Sequence, residues 1–254
     1  MTNVGSSGDL VRRNNLPIAK LNEVDIYYDR KGKGELSYVF CHGLGSNSIR
    51  FEKEEREWYS EIFDVVSWDN RGLGRSGFSK KYSLPLYAKD LKDLLDLLSI
   101  DKAVIFGVSW GGVLTQRFAI DYPERCHAIV LDSTSSEVNR IASERWYQRG
   151  QEAYHRDSTV EETHRESYVA QCRAVAALRE HALTMALNKV NIPALIVGGG
   201  KDEVAGAAGS VVLSRNLPNS QLHIFQEAGH GTYSLEREGF RDLLLRFTES
   251  NSLL

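Results

Sequence analysis

Between the apolar run Ala103-Val104-Ile105-Phe106 and an amphipathic stretch that begins at Val113 lies Gly107-Val108-Ser109-Trp110-Gly111. A Gly-x-Ser-x-Gly placed directly after a strand and directly before a helix leaves a chain few ways to fold. The turn forces its serine into a strained backbone conformation, and the flanking glycines remove the side chains that would strike the neighbouring strand and helix. The serine hydroxyl is then lifted above the sheet edge, at the positive end of a helix, where developing negative charge is favoured.

The rest of the chain repeats the rhythm that such a turn requires. Val24–Asp29, Leu36–Cys41, Val65–Trp68, Ala103–Phe106, Ala128–Leu131, Ala194–Val197 and Leu222–Phe225 read as strands. Several are near-continuous apolar runs, as expected where helices cover both faces of a sheet. Helical patterns alternate with them, at Tyr87–Leu98, Val113–Ile120 and Arg241–Phe247. In the first, Leu91, Leu94, Leu95 and Leu98 form one apolar stripe. Strand–helix alternation implies crossover connections and a mainly parallel sheet, hence an α/β fold.

One interval breaks this rhythm. From Ser133 to Asn191 there is no strand signal, only the polar-rich helical stretches Val138–Arg149, Val160–Arg173 and Ala174–Asn188. The expected organisation is a core of residues 16–132 and 192–254, with residues 133–191 inserted as a small helical cap of two to four helices. Residues 1–15, polar and rich in glycine and serine, read as a disordered lead-in.

Composition excludes several function classes. With 31 basic and 34 acidic residues the net charge is −3, so no basic field exists to hold a nucleic acid or an anionic membrane. No run of about 18 apolar residues occurs, so no membrane span is expected. Cys41, Cys126 and Cys172 are widely separated and form no metal or disulfide pattern, which suits reduced thiols in the cytoplasm. His155, His164 and His181 have no metal-ligand spacing either and read as solvated residues of the insertion.

A serine hydroxyl needs a base within hydrogen-bond reach to act as a nucleophile near neutral pH. His230, in Glu227-Ala228-Gly229-His230-Gly231 after the last strand, has glycines on both sides and can approach closely. The base in turn needs an acid to orient it. Asp202 follows the buried run Ala194–Val197 and completes the order Ser109, Asp202, His230, while Glu203 and Asp132 are competitors for that role. Oxyanion donors are expected from the backbone N–H groups of Trp110 and of Leu44, in Phe40-Cys41-His42-Gly43-Leu44-Gly45. His42 reads as a brace for that loop.

Taken together, His42-Gly43-Leu44-Gly45, Trp68-Asp69-Asn70-Arg71-Gly72-Leu73-Gly74-Arg75-Ser76, Gly107-x-Ser109-x-Gly111, Asp202 and His230 resemble the α/β-hydrolase superfamily, and within it the small serine carboxylesterases and enol-lactone hydrolases. The resemblance runs from about Val24 to the C-terminus. It implies an eight-stranded, mainly parallel sheet with an antiparallel second strand, and structural roles for Asp69 and Arg71. A serine at the nucleophile position sets the chain apart from the haloalkane dehalogenases and epoxide hydrolases of the superfamily, which use aspartate.

The expected activity is cleavage of a small-molecule carboxylic ester or lactone through an acyl-enzyme, without metal or organic cofactor. Two other reactions fit the same triad, carbon–carbon bond hydrolysis and acyl or perhydrolase transfer; Gly231, where carbon–carbon hydrolases commonly carry an aromatic residue, weakens the first. A slow-turnover ligand receptor is the rival of another class. Trp146, Tyr147, Tyr154, Tyr168, Leu178, Leu183 and Met185 are candidate pocket residues, with Trp146, Tyr147, Tyr168 and Met185 foremost. The sequence is compatible with a monomer or a homodimer.

Overall fold

The structure is a computed structural model that describes residues 17–254, so the N-terminal lead-in lies outside the described residues. Eight strands form one sheet: β1 Ile18–Leu21, β2 Val24–Gly32, β3 Ser37–Cys41, β4 Asp64–Trp68, β5 Ala103–Val108, β6 Cys126–Asp132, β7 Ala194–Gly199 and β8 Ser220–Phe225. Their order across the sheet is β1-β2-β4-β3-β5-β6-β7-β8. The second strand runs antiparallel to both neighbours, and all pairs from β4 to β8 are parallel.

The helices are α1 Ser48–Glu54, α2 Arg56–Ile62, α3 Leu84–Leu97, α4 Trp110–Asp121, α5 Arg140–Glu152, α6 Arg165–Ala176, α7 Thr184–Leu187, α8 Gly206–Asn216, α9 Thr232–Leu235 and α10 Arg237–Ser250. They cover both sheet faces because the central strands, β5 above all, are apolar in both directions. Ile105 of β5 joins Leu91 and Leu94 of α3, Leu114 of α4 and Leu213 of α8 on one face. Val104 and Phe106, one residue to either side, join Phe51 of α1, Tyr59 of α2 and Phe240 and Leu244 of α10 on the other. Each fully buried leucine or phenylalanine contributes about 1.5–3 kcal/mol. The doubly covered sheet is what holds the strand ends, and the loops they carry, in fixed positions.

Several elements differ from the sequence expectation. Strand β1 was not expected; it is a four-residue edge strand, joined to β2 by Asn22 and Glu23, both at positive φ. Helices α1, α2 and α8 were not expected either, because their short or glycine-interrupted sequences lack a long apolar stripe. The stretch Ala174–Asn188 is not one helix. It divides into the end of α6, a 3₁₀ turn at Ala177–Arg179, and α7. The break falls where the Leu183 N–H donates to the Ser136 carbonyl at 2.9 Å and the Thr184 hydroxyl donates to Glu137, so tertiary partners replace helical ones.

No helix among the described residues is long and apolar enough to cross a membrane. Cys41, Cys126 and Cys172 are free and buried. Burial pushes their thiols up to about 12, about 12 and about 11 respectively.

Candidate active site

Ser109 joins β5 to α4 with φ 56° and ψ −119°. A non-glycine residue there carries about 1–3 kcal/mol of backbone strain, so its surroundings must fix it. Its N–H donates to the Asp132 carbonyl at 2.9 Å, and the Thr134 hydroxyl donates to its carbonyl at 2.8 Å. The two motif glycines are steric requirements. A Cβ on Gly107 would lie 2.3 Å from the Gly111 carbonyl oxygen, and one on Gly111 would lie 2.1 Å from that of Cys41. Trp110 opens α4, where the first N–H groups have no intrahelical acceptor and remain available to an anion.

His230 and Asp202 come together from the loops that follow β8 and β7. The imidazole Nδ1 lies 2.9 Å from Oδ2 and 3.1 Å from Oδ1 of Asp202. Asp202 also accepts from the N–H groups of Val204 and Ala205, at 2.8 and 3.0 Å. Burial opposes its charge, but the imidazole and the two N–H groups outweigh it and hold the carboxyl below its ordinary value. An ionised acceptor at Nδ1 selects the tautomer protonated there, which leaves Nε2 as a proton acceptor.

The competing acids have other surroundings. Glu203 is exposed. The fully buried Asp132 carboxylate accepts from the Thr232 N–H and hydroxyl, the Tyr233 N–H and the Ser133 hydroxyl. Burial raises its pKa against the opposing effect of these four donors. The Ser133 hydroxyl also accepts from the Gly231 N–H at 2.9 Å. Asp132 and Ser133 therefore hold the three residues after His230 against the end of β6, the same end that holds Ser109. The sequence offered Asp132 as a rival acid but gave no signal of this anchoring role.

The loop after β3 reaches the elbow closely: a Cβ on Gly43 would lie 3.7 Å from Cβ of Ser109. Leu44 is next in that loop and half-buried. The following N–H, of Gly45, donates to Oε1 of Gln171 on α6 at 2.8 Å, and the Tyr168 ring covers Gly45 so tightly that a Cβ there would lie 2.6 Å from it. Gln171 was not anticipated from sequence. His42 is buried against Phe40 and Phe51, and burial lowers its pKa to about 4, so it is neutral and serves as a packed brace. Asp69 accepts from Ser48 and from the Arg75 N–H, and Arg71 is buried in a two-bond contact with Asp90. Both stand in scaffold contacts.

A cavity of about 340 Å³ has Ser109 and Trp110 on its wall, opposite Trp146 of α5 and Val175 and Leu178 from α6 and the 3₁₀ turn after it. Of the candidate pocket residues, Trp146 and Leu178 line this space. Tyr147 (53% exposed) and Met185 (74% exposed) face outward and lie off the cavity. Tyr168 also lies off it, over Gly45, with its hydroxyl accepting from Arg149. Leu183 is buried and Tyr154 exposed, neither on this cavity. Helical spacing alone did not separate the inward face of α5 from its outward face. Glu137 and Asn139, also on the lining, were not anticipated because the sequence shows only a polar linker there.

The model of the α/β hydrolase fold family matches residues 39–165, half of the chain. The chain belongs to this hydrolase family. Among characterised relatives, a poly(3-hydroxyalkanoate) depolymerase from Ectopseudomonas oleovorans is 26% identical, over 87% of this chain and 87% of its own. A 3-oxoadipate enol-lactonase from Acinetobacter baylyi is 25% identical, over 76% of this chain and 80% of its own. The crystal structure of the enol-lactonase from Burkholderia xenovorans superposes with a TM-score of 0.82 at 22% identity, covering 92% of this chain and all of that one. The last comparison concerns the fold.

Proposed function

We propose that this hydrolase cleaves a carboxylic ester or a lactone by serine nucleophilic catalysis. The observation that carries the reading is the strained Ser109 on the wall of a largely apolar cavity, at the N-terminus of α4, with His230 of the Asp202–His230 pair in a loop tied to the same end of β6 as Ser109. Strain of this kind persists where the surroundings over-determine it, which is characteristic of functional positions.

In the proposed reaction the Ser109 Oγ attacks the carbonyl carbon while His230 Nε2 takes its proton. The carbonyl π electrons move to the oxygen, and the N–H groups of Trp110 and Leu44 stabilise that oxyanion. Collapse breaks the bond to the leaving alcohol, which receives the proton from His230. Water then gives a proton to His230 as its oxygen attacks the acyl carbon; the bond to Ser109 Oγ breaks, Oγ takes the proton back from His230, and the acid leaves. Asp202 holds the imidazole tautomer and balances the charge of the imidazolium. The steps as written use neither metal nor organic cofactor. The named activities of the depolymerase and the lactonase are cleavage of ester and lactone bonds, which supports this bond class.

Hydrolysis of p-nitrophenyl acetate, butyrate and octanoate by the wild type and Ser109→Ala is the direct test. Turnover by the wild type and its loss by at least about a thousandfold in the variant are expected. Undiminished turnover in Ser109→Ala would overturn the assignment.

A further inference from the structure

Among the described residues, the cavity beside Ser109 carries one ionisable side chain on its lining, and it is a carboxylate. Glu137 stands among alanine, valine, leucine, tryptophan, glycine, serine, threonine and asparagine residues, with no lysine, arginine or histidine among the described lining residues. It is exposed at the cavity rim, and one hydroxyl orients its carboxylate. The Thr184 hydroxyl donates to Oε2 at 2.6 Å, and because that uses the single Thr184 proton, Ser136 supplies the proton in the 2.8 Å Ser136–Thr184 contact. The Ser135 hydroxyl holds the Glu137 carbonyl at 2.7 Å. The Ser136–Thr184 chain therefore ends on Oε2, and Oε1 has no hydrogen-bond or ion-pair partner among the described residues.

A substrate tail ending in a carboxylate finds no cation in this cavity to pair with and meets a like charge at its rim. A tail ending in a cation or a hydrogen-bond donor finds an oriented acceptor. We infer that Glu137 is a specificity residue of this site, selecting esters or lactones whose acyl part is apolar with a neutral or cationic end and rejecting those with a carboxylate end. This rests on the serine-hydrolase reading above. It separates this cavity from one suited to a lactone of a dicarboxylic acid, the kind of substrate for which the oxoadipate enol-lactonase is named.

The test compares three p-nitrophenyl esters of matched reach: hexanoate, the adipate monoester, and 5-(trimethylammonio)pentanoate. Release of p-nitrophenolate is followed in the first turnover, so the ranking reports acylation even if deacylation is slow. The hexanoate and the ammonium ester should each exceed the adipate monoester by about tenfold or more in acylation efficiency, as like-charge juxtaposition predicts. Raising the salt concentration should narrow the ammonium-to-adipate ratio in the wild type. Glu137→Gln, which keeps an acceptor for Thr184, should lower that ratio about tenfold. Equal efficiency for adipate and hexanoate, or an unchanged ratio in Glu137→Gln, would overturn the inference while leaving the hydrolase reading intact. Silence with all three esters, together with failure of a fluorophosphonate to label Ser109, would instead overturn the hydrolase reading and this inference with it.

Discussion

Asp132 and Thr232 stand 100 positions apart in the chain, yet one oxygen of the Asp132 carboxylate accepts from both the Thr232 hydroxyl at 2.7 Å and the Thr232 N–H at 3.2 Å. The contact fixes the loop that carries His230. Replacing Asp132 with Ala leaves buried N–H groups of residues 232 and 233 without their acceptor. A stability loss of about 2–4 kcal/mol is expected from two to three such groups, with a fall in kcat of about tenfold or more. Urea unfolding and ester turnover measure the two effects. Wild-type kcat in the variant would show that the His230 loop is held in other ways.

The strain at Ser109 makes a prediction of opposite sign. Glycine tolerates φ 56°, so Ser109→Gly should be more stable than Ser109→Ala by about 1 kcal/mol, although neither retains the proposed nucleophile. Thermal unfolding of the pair decides it, and equal melting temperatures would argue that the elbow is unstrained.

Gln171 joins the helical segment to the loop that carries Leu44. If Leu44 donates to the oxyanion as proposed, Gln171→Ala should lower kcat by about tenfold with a smaller change in KM, since a loosened donor weakens the transition state more than substrate binding. A rise in KM at constant kcat would assign Gln171 to binding instead.

Asp202 predicts a pH dependence. Its carboxyl is held below its ordinary value in the folded protein, so the stability it contributes is fully present above that ordinary value. That contribution is lost as pH falls through the lower folded value. The stability difference between wild type and Asp202→Asn should therefore shrink as pH falls below about 4. Urea unfolding across this range reads it. A difference that grows as pH falls below about 4 would contradict the sign.

Arg71 and Asp90 form a buried pair, with guanidinium-to-carboxylate distances of 2.6 and 2.7 Å. Removing one partner strands the other charge, so Arg71→Met should destabilise by about 3–5 kcal/mol. Pairing Arg71→Met with Asp90→Leu should recover much of the loss. Additive losses in the double variant would deny the coupling.

The fold was legible because its signal is local and repeated. Apolar runs such as Ala103–Phe106 and the Leu91–Leu98 stripe mark elements whose faces are buried whatever their neighbours are. Ser109, Asp202 and His230 stood out because each follows a strand at a glycine-marked turn. The anchoring role of Asp132 and the places of Glu137 and Gln171 were not legible, since they depend on partners about 50 to 130 residues away in sequence. For the same reason Trp146 and Tyr147, adjacent on α5, could not be told apart: only the placement of α5 over the sheet turns one toward the cavity and the other toward solvent.

The three cysteines, all buried and held in their protonated form well above neutral pH, leave the surface without a reactive thiol among the described residues. One cysteine introduced at an outward position such as Tyr147 would then be a unique handle for a maleimide dye. The native chain thus comes ready for fluorescence reporting of how α5 moves while a substrate enters, without first being stripped of its own sulfur.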